Sequence, residues 1–248
     1  MSGAVVTWVV TALGALAGVL VVRWLRGLSY RRPDEVDQQA PGRRWWVVPV
    51  LAAASGLIAW RLLLAGTAGY DPGSGTGREG WVQAVVLLTL LLVLVSCVAM
   101  AAVDLDVHRL PDRLMFPTTG VLVGGYAVAA VVAAEPGAWL RALLAGLACG
   151  AGYFLLALLS MVRGSLGLGL GDVKLAALLG AALGWFGWVP VLVGMYAGFL
   201  AGGLAALVLL VTGRVRLRDG DLAYGPPMMV GALLGLLVGP GGLGLLGA

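Results

Sequence analysis

Charge is the scarcest thing in this chain. Only 11% of its 248 residues are Asp, Glu, Lys or Arg, where a soluble domain carries about 25%. So few charges exclude an ordinary soluble globular domain. Lysine and histidine each occur once, as Lys174 and His108, which leaves no histidine cluster to hold a metal. The two cysteines, Cys97 and Cys149, sit inside apolar runs with no CxxC pair. Neither a zinc site nor a disulfide framework is expected, and both read as packing residues. The apolar runs do not alternate with polar residues, which argues against a β-barrel.

What is present is hydrophobic: 60% of the residues. Runs near the roughly 20 residues needed to cross a bilayer recur along the whole length. An open sheet cannot satisfy its backbone in lipid. The fold class expected is therefore an all-α polytopic membrane protein with about eight transmembrane helices. The runs place them near 4–22, 45–66, 81–103, 115–134, 139–162, 175–187, 188–212 and 225–247. The sixth and seventh are separated only by "GWFGWVP", and the last is rich in glycine and proline. Small-xxx-small pairs recur at Gly14/Gly18, Gly120/Gly124, Gly146/Gly150, Gly180/Gly184 and Gly194/Gly198. Such pairs let helix backbones approach closely.

The basic residues set an orientation. Thirteen of the sixteen fall in odd-numbered loops, leaving Arg61, Arg78 and Arg141 for the even side. By the positive-inside rule the odd loops are cytoplasmic and the N-terminus is outside. The isoelectric point near 9.4 then reflects topology signals flanking the spans, and no nucleic-acid partner is expected. The first span lacks a charged n-region and a clear cleavage site, so it reads as an uncleaved anchor. The first loop, "RGLSYRRPDEVDQQAPGRR", is polar; the second, "GTAGYDPGSGTGREG", reads as flexible and external.

Most carboxylates have plain explanations. Asp34, Glu35 and Asp37 lie in the polar first loop, and Asp71, Glu79 and Glu135 on the outer side. Two groups stand apart, both at the cytoplasmic ends of apolar spans, where ionisable groups are functional candidates. One is "DLDVHRLPD", with Asp104, Asp106 and Asp112; the other is Asp172 in "GLGLGDVKL". Asp172 could cap a helix, and the helix dipole would stabilise its anion. Asp104 falls near a helix C-terminus, where the dipole disfavours an anion and capping offers no explanation. Asp106 reads as solvated or supporting. Leu110-Pro111-Asp112 reads as a helix stop and restart, with Asp112 capping the next span. His108 reads as a loop side chain. Lys174 either favours the ionised form of Asp172 or marks the cytoplasmic face. Asp104-x-Asp106 could bind a divalent cation, but no further acidic or phosphate-binding pattern supports it, so no metal and no cofactor is expected.

Two aspartates from different loops on one membrane face suggest an aspartic-protease pair. One carboxylate acts as base on a water, and the other, protonated, polarises the scissile carbonyl. Gly169 and Gly171, lacking Cβ atoms, would let an extended substrate backbone pass beside Asp172. Gly171 is expected to leave that room, to take a positive φ, or both.

Together these motifs resemble those of the type IV prepilin leader peptidases, a family of intramembrane GxGD aspartic proteases. Asp104, six residues, then Pro111-Asp112 matches the first motif. Gly169-Leu170-Gly171-Asp172 matches the second, and Tyr224-Gly225-Pro226 a third. The resemblance covers about residues 85–235. It implies that Asp104 and Asp172 are catalytic, with Gly169, Gly171, Asp106, Asp112, Lys174, Gly225 and Pro226 binding substrate or supporting them. It divides the chain into an N-terminal membrane region with a cytoplasmic loop, 1–80, and a peptidase membrane domain, 81–248. The activity implied is removal of a short basic leader from prepilins or pseudopilins at the cytoplasmic face of the inner membrane. Many relatives also N-methylate the new terminus and carry two CxxC pairs in an N-terminal cytoplasmic domain. The first loop here has none, so methylation and zinc are not expected to follow. Two other readings compete. A presenilin-like or signal-peptide-peptidase-like GxGD protease would show Pro-Ala-Leu near the C-terminus, where this chain has Tyr224-Gly225-Pro226-Pro227. A non-enzymatic transporter or secretion subunit would place its carboxylates at mid-membrane. Oligomeric state is not legible.

Overall fold

The computed structural model describes residues 3–32, 35, 42, 44–63, 77–162, 169–212 and 223–238, and these contain no strand. Eight helices follow in order: α1 (Gly3–Arg26), α2 (Val47–Leu63), α3 (Gly77–Val107), α4 (Asp112–Ala133), α5 (Pro136–Val162), α6 (Leu170–Gly184), α7 (Trp188–Val211) and α8 (Gly225–Val238). Among them α1, α3, α4, α5 and α7 are long and apolar enough to cross a membrane, and α2 and α8 are shorter apolar helices. The chain is a polytopic membrane protein, as its apolar runs predict. Asp34, Asp37, Arg43, Asp71, Arg163, Arg214, Arg216 and Arg218 lie outside the described residues.

Two helix ends differ from expectation, and both differences matter for the site. Helix α3 continues past the apolar run to Val107, taking Asp104 and Asp106 into its last turn. Helix α6 starts at Leu170, so Asp172 lies inside its first turn. A hydropathy window ends where polar residues begin, but hydrogen bonding carries a helix further.

The chain forms two compact units, Met1–Ala134 and Glu135–Ala248. In the first, α1 and α2 pack antiparallel through small residues. A Cβ at Gly14 would lie 2.7 Å from the Leu51 carbonyl oxygen, and one at Gly18 would lie 2.7 Å from Val48 Cα. The expected close approach is present. The core of this unit joins Val21 and Leu25 of α1, Val47 and Leu51 of α2, and Val98, Ala99, Ala102 and Val103 of α3. Exposed Trp24 and Trp45 mark one end of this bundle, and exposed Trp8, Trp60 and Trp81 sit at the opposite helix ends. This is how interfacial tryptophans flank a bilayer core.

In the second unit, α5 packs on α6 and α7 on α8. Gly180 meets Cys149, with a would-be Cβ 2.6 Å from its sulfur, so Cys149 is a packing residue as expected. Gly231 meets the backbone of Gly198, and Gly235 that of Gly194. One pair departs from expectation. Gly120 and Gly124 have nothing within contact distance among the described residues; Gly125 instead packs on Thr89 of α3. In a chain with 40 glycines the spacing arises by chance as well as by design.

Candidate active site

Asp104 lies in the last turn of α3, one residue beyond core Val103, and is only 5% exposed. Its carbonyl accepts the His108 N–H at 2.9 Å. His108 has φ 49°, a left-handed conformation that ends the helix. That conformation costs a non-glycine residue roughly 1 kcal/mol or more. Helix α4 starts four residues later, with Pro111 as its N-cap in extended conformation (φ −72°, ψ 123°) and Asp112 as its first residue. This corrects the expectation that Asp112 caps α4. Proline has no N–H to lose at a helix start, so it serves the boundary itself.

Asp106 is not a solvated residue. Arg31 grips it with both arms of its guanidinium, Nη2 to Oδ1 at 2.8 Å and Nε to Oδ2 at 3.1 Å. Arg44 reaches Oδ2 at 3.1 Å, and the Tyr30 hydroxyl donates to the same oxygen at 2.5 Å. Burial, and then the hydrogen bond to Asp106, push the Tyr30 phenol above its ordinary pKa, so it stays a neutral donor. Arg44 also donates to the Tyr30 oxygen at 2.6 Å and lies over its ring, 5.3 Å from the centroid. Three residues beyond Asp106, and one beyond His108, the pattern is repeated with the charges reversed. Arg109 donates to both Glu35 oxygens, at 2.6 and 2.7 Å, and to the Tyr30 carbonyl at 2.9 Å. The first and third loops therefore lie at the same end of the first unit, as alternate loops of a serpentine bundle must.

The Arg109 hydrogen bonds hold the Glu35 carboxyl down from its ordinary 4.5 to about 2, against the opposing effect of burial. A carboxylate depressed in this way stabilises the fold above its unfolded pKa and loses that contribution as pH falls through the folded value. The stabilisation from this pair should be complete above pH 4.5 and fade toward pH 2. Melting temperatures of the detergent-solubilised protein should show that slope, and Glu35→Gln should flatten it; an unchanged slope would assign the acid sensitivity to other groups.

In the second unit, Asp172 is the third residue of α6, and Gly169 is the N-cap. Its Oδ2 accepts the Gly169 N–H at 3.0 Å. This corrects the reading of Asp172 as the N-cap. Gly169 has no side chain to return the bond, so only the reaching-back half of a capping box exists here. Gly171 is the second residue of a regular helix, and Gly187 alone among the described glycines has positive φ. The expectation of a positive φ at Gly171 is therefore wrong; the glycine lies one residue before Asp172 in the same helical turn. Gly169 is exposed, and Lys174, five residues on, is half-buried.

Tyr224 and Tyr153 both lie within electrostatic range of Asp172. Tyr224 packs its ring against Gly202 of α7, where a Cβ would come within 2.7 Å. Its carbonyl accepts the Met228 N–H at 3.3 Å, so it opens α8. Gly225, Pro226 and Pro227 occupy the first turn, where missing N–H groups do no harm. The sequence reading named Gly225 and Pro226 but not Tyr153; an aromatic inside an apolar run carries no signal of its own. No cluster of three or more His, Cys, Asp or Glu side chains able to hold a metal occurs among the described residues.

Residues 91–211 match the type IV leader peptidase family. This stretch contains both Asp104 and Asp172. The chain is also similar to curated proteins called prepilin leader peptidase/N-methyltransferase. The one from Burkholderia pseudomallei strain 1026b is 32% identical over 148 residues, 58% of this chain and 44% of the relative. That from Pseudomonas putida is 31% identical over 168 residues, 64% and 51% of the two chains. That from Aeromonas salmonicida strain A449 is 29% identical over 213 residues, 82% and 60%. The chain thus spans about half the length of the curated relatives it matches. No solved structure matches it.

If Asp172 is catalytic, as proposed below, Gly171→Ala tests the glycine motif without altering charge. Alanine is tolerated in a first helical turn, so the variant should insert and accumulate normally. The methyl is added one residue before Asp172, and a displacement of that carboxylate by about 1 Å can cost about 100-fold in rate. Cleavage should slow by at least about tenfold. Gly167→Ala, outside the described residues, should be milder. Equal, near-wild-type rates for both would make these glycines ordinary loop and helix residues.

Proposed function

We propose that this chain is a membrane-embedded aspartic endopeptidase that removes the short basic leader from type IV prepilins or pseudopilins. The reaction takes place at the cytoplasmic face of the inner (plasma) membrane, where the arginine distribution puts loops one, three, five and seven. The observation that carries this reading is Asp104. A carboxylate held 5% exposed at the C-terminal end of an apolar helix, where the helix dipole disfavours an anion, falls inside the family segment. Asp172 is its partner. One aspartate takes a proton from water, which attacks the carbonyl carbon of the scissile bond. The other donates a hydrogen bond to the carbonyl oxygen, and the leaving amine takes up a proton as the bond breaks. Residues 81–248 form the peptidase membrane domain, and 1–80 the region preceding it.

Gly169 and Gly171 leave a path for the substrate backbone, and Lys174, Asp106, Asp112, Gly225 and Pro226 support the site. The substrates are prepilin-type proteins presented from the lipid, and neither nucleic acid nor a cofactor takes part. The names of the relatives in Burkholderia, Pseudomonas and Aeromonas support a prepilin substrate. The transporter reading is not favoured, because both aspartates sit in terminal helical turns.

Two carboxylates suffice for this chemistry, so activity should be independent of metal. Purified protein should cleave a prepilin equally well with and without EDTA. Complete loss in EDTA, restored by Mg²⁺ or Zn²⁺, would replace the water-sharing pair with a metal site built on Asp104 and Asp106.

A further inference from the structure

The ionic network around Asp106 and Glu35 goes beyond what a surface loop needs. We infer that Tyr30, Arg31, Arg44 and Glu35 of the first loop are positioning residues for Asp104, bracing the last turn of α3 on both sides of the left-handed His108. This rests on the proposed peptidase reading for its functional consequence.

The geometry is specific. Asp104, whose carboxylate the reaction uses, is anchored at its own carbonyl by the His108 N–H. His108 is the strained residue of the turn. Without support, the last turn of a helix frays, and a left-handed histidine is a natural point for it to open. Here Asp106 is fixed two residues before His108 and Arg109 one residue after it. Both partners come from the first loop, 74 and 75 residues away in sequence. The side chains of Arg31 and Asp106 are 2% and 5% exposed, so the bonds form away from bulk solvent and resist screening. The fork of Arg31 fixes direction as well as distance, which a lysine cannot do. The Tyr30 carbonyl and hydroxyl tie the two halves together, one to Arg109 and the other to Asp106 and Arg44. Strain held in place by surrounding contacts on both sides is the arrangement expected where a side chain must not move.

The brace is separable from general stability. Loosening it should free residues 105–109 and leave the middle of α3, packed in the core through Val98 and Ala99, unaffected. Hydrogen exchange of the full chain in detergent, followed by mass spectrometry, reads this without any substrate. In Arg31→Ala, exchange at 105–109 should rise at least tenfold while 90–100 stays as in the wild type. With a prepilin substrate, kcat should fall about tenfold or more with KM changed less than threefold, since Asp104 is displaced but the substrate path is not. Arg31→Lys should fall between the two, because it restores charge without the fork. If Arg31→Ala does not insert, Glu35→Gln carries the same measurements through the Arg109 arm.

Unchanged exchange at 105–109, or a rise spread evenly along α3, would overturn the brace. So would an equal fall in kcat/KM arising from KM alone. A wild-type protein that leaves prepilin uncut would count against the peptidase reading, and the exchange result would still decide whether the loop holds the turn.

Discussion

Asp104→Ala and Asp172→Ala should each abolish leader cleavage while the protein still inserts and accumulates. In the proposed mechanism the two aspartates share one reaction, so either loss removes the whole of it rather than half. Proton transfer by a positioned group contributes about 100- to 10,000-fold, and here the attacking water is not otherwise activated. Asp104→Asn and Asp172→Asn should fail equally. The amide keeps the shape and part of the hydrogen bonding but cannot take up the proton. Insertion should survive for different reasons at the two sites. Asp104 occupies a buried helical position that alanine suits. Asp172→Ala loses the acceptor for the Gly169 N–H, a change of about 1–2 kcal/mol at most for a helix start. A processing gel that shows the precursor fully retained, beside normal amounts of enzyme in the membrane, is the expected result. Substantial processing by either asparagine variant would remove the aspartic mechanism.

Asp106→Ala should fail in the opposite way, with most of its effect on the fold. An exposed ion pair contributes up to about 1 kcal/mol. Asp106 instead satisfies two guanidiniums and a phenol, and its side chain is 5% exposed. Removing it leaves like charges facing each other between Arg31 and Arg44, in a place that water reaches poorly. Breaking such a pair from one side costs more than the pair itself contributes. Asp106→Ala should therefore lower the melting temperature and the amount of protein in the membrane. Per molecule that remains folded, it should still cleave faster than Asp104→Ala. The measurement is processing normalised to enzyme quantified on the same blot, with a thermal melt in detergent. A stable Asp106→Ala that is as inactive as Asp104→Ala would mean that Asp106 itself takes part in the chemistry.

The helices were legible in the sequence because the thickness of a bilayer dictates the length of an apolar run. Their order and number needed no tertiary information. The GxGD and Pro-Asp motifs were legible for a similar reason: they are local. What escaped was whatever depended on a partner far along the chain. Arg31, Arg44 and Arg109 read as topology signals, and Glu35 as a loop residue, because their contacts join segments more than 60 residues apart. A charge count has no access to such pairing. The capping assignments at Asp112 and Asp172 were off by one and three residues for another reason. Both Pro111 and Gly169 can occupy an N-cap, and local composition favours aspartate over either. The Gly120/Gly124 pair shows the limit of spacing rules, since only packing tells which face of α4 meets α3.

The central claim is that Asp104 and Asp172 cut a prepilin leader. It is tested most directly by the N-terminus of a prepilin-type substrate recovered from cells that carry this chain as their sole leader peptidase. Intact-mass analysis with wild-type enzyme should show the substrate shortened by its basic leader. The same analysis with Asp172→Ala should show only the full-length precursor. A full-length substrate with the wild-type enzyme, or the same shortened substrate with both enzymes, would contradict the account.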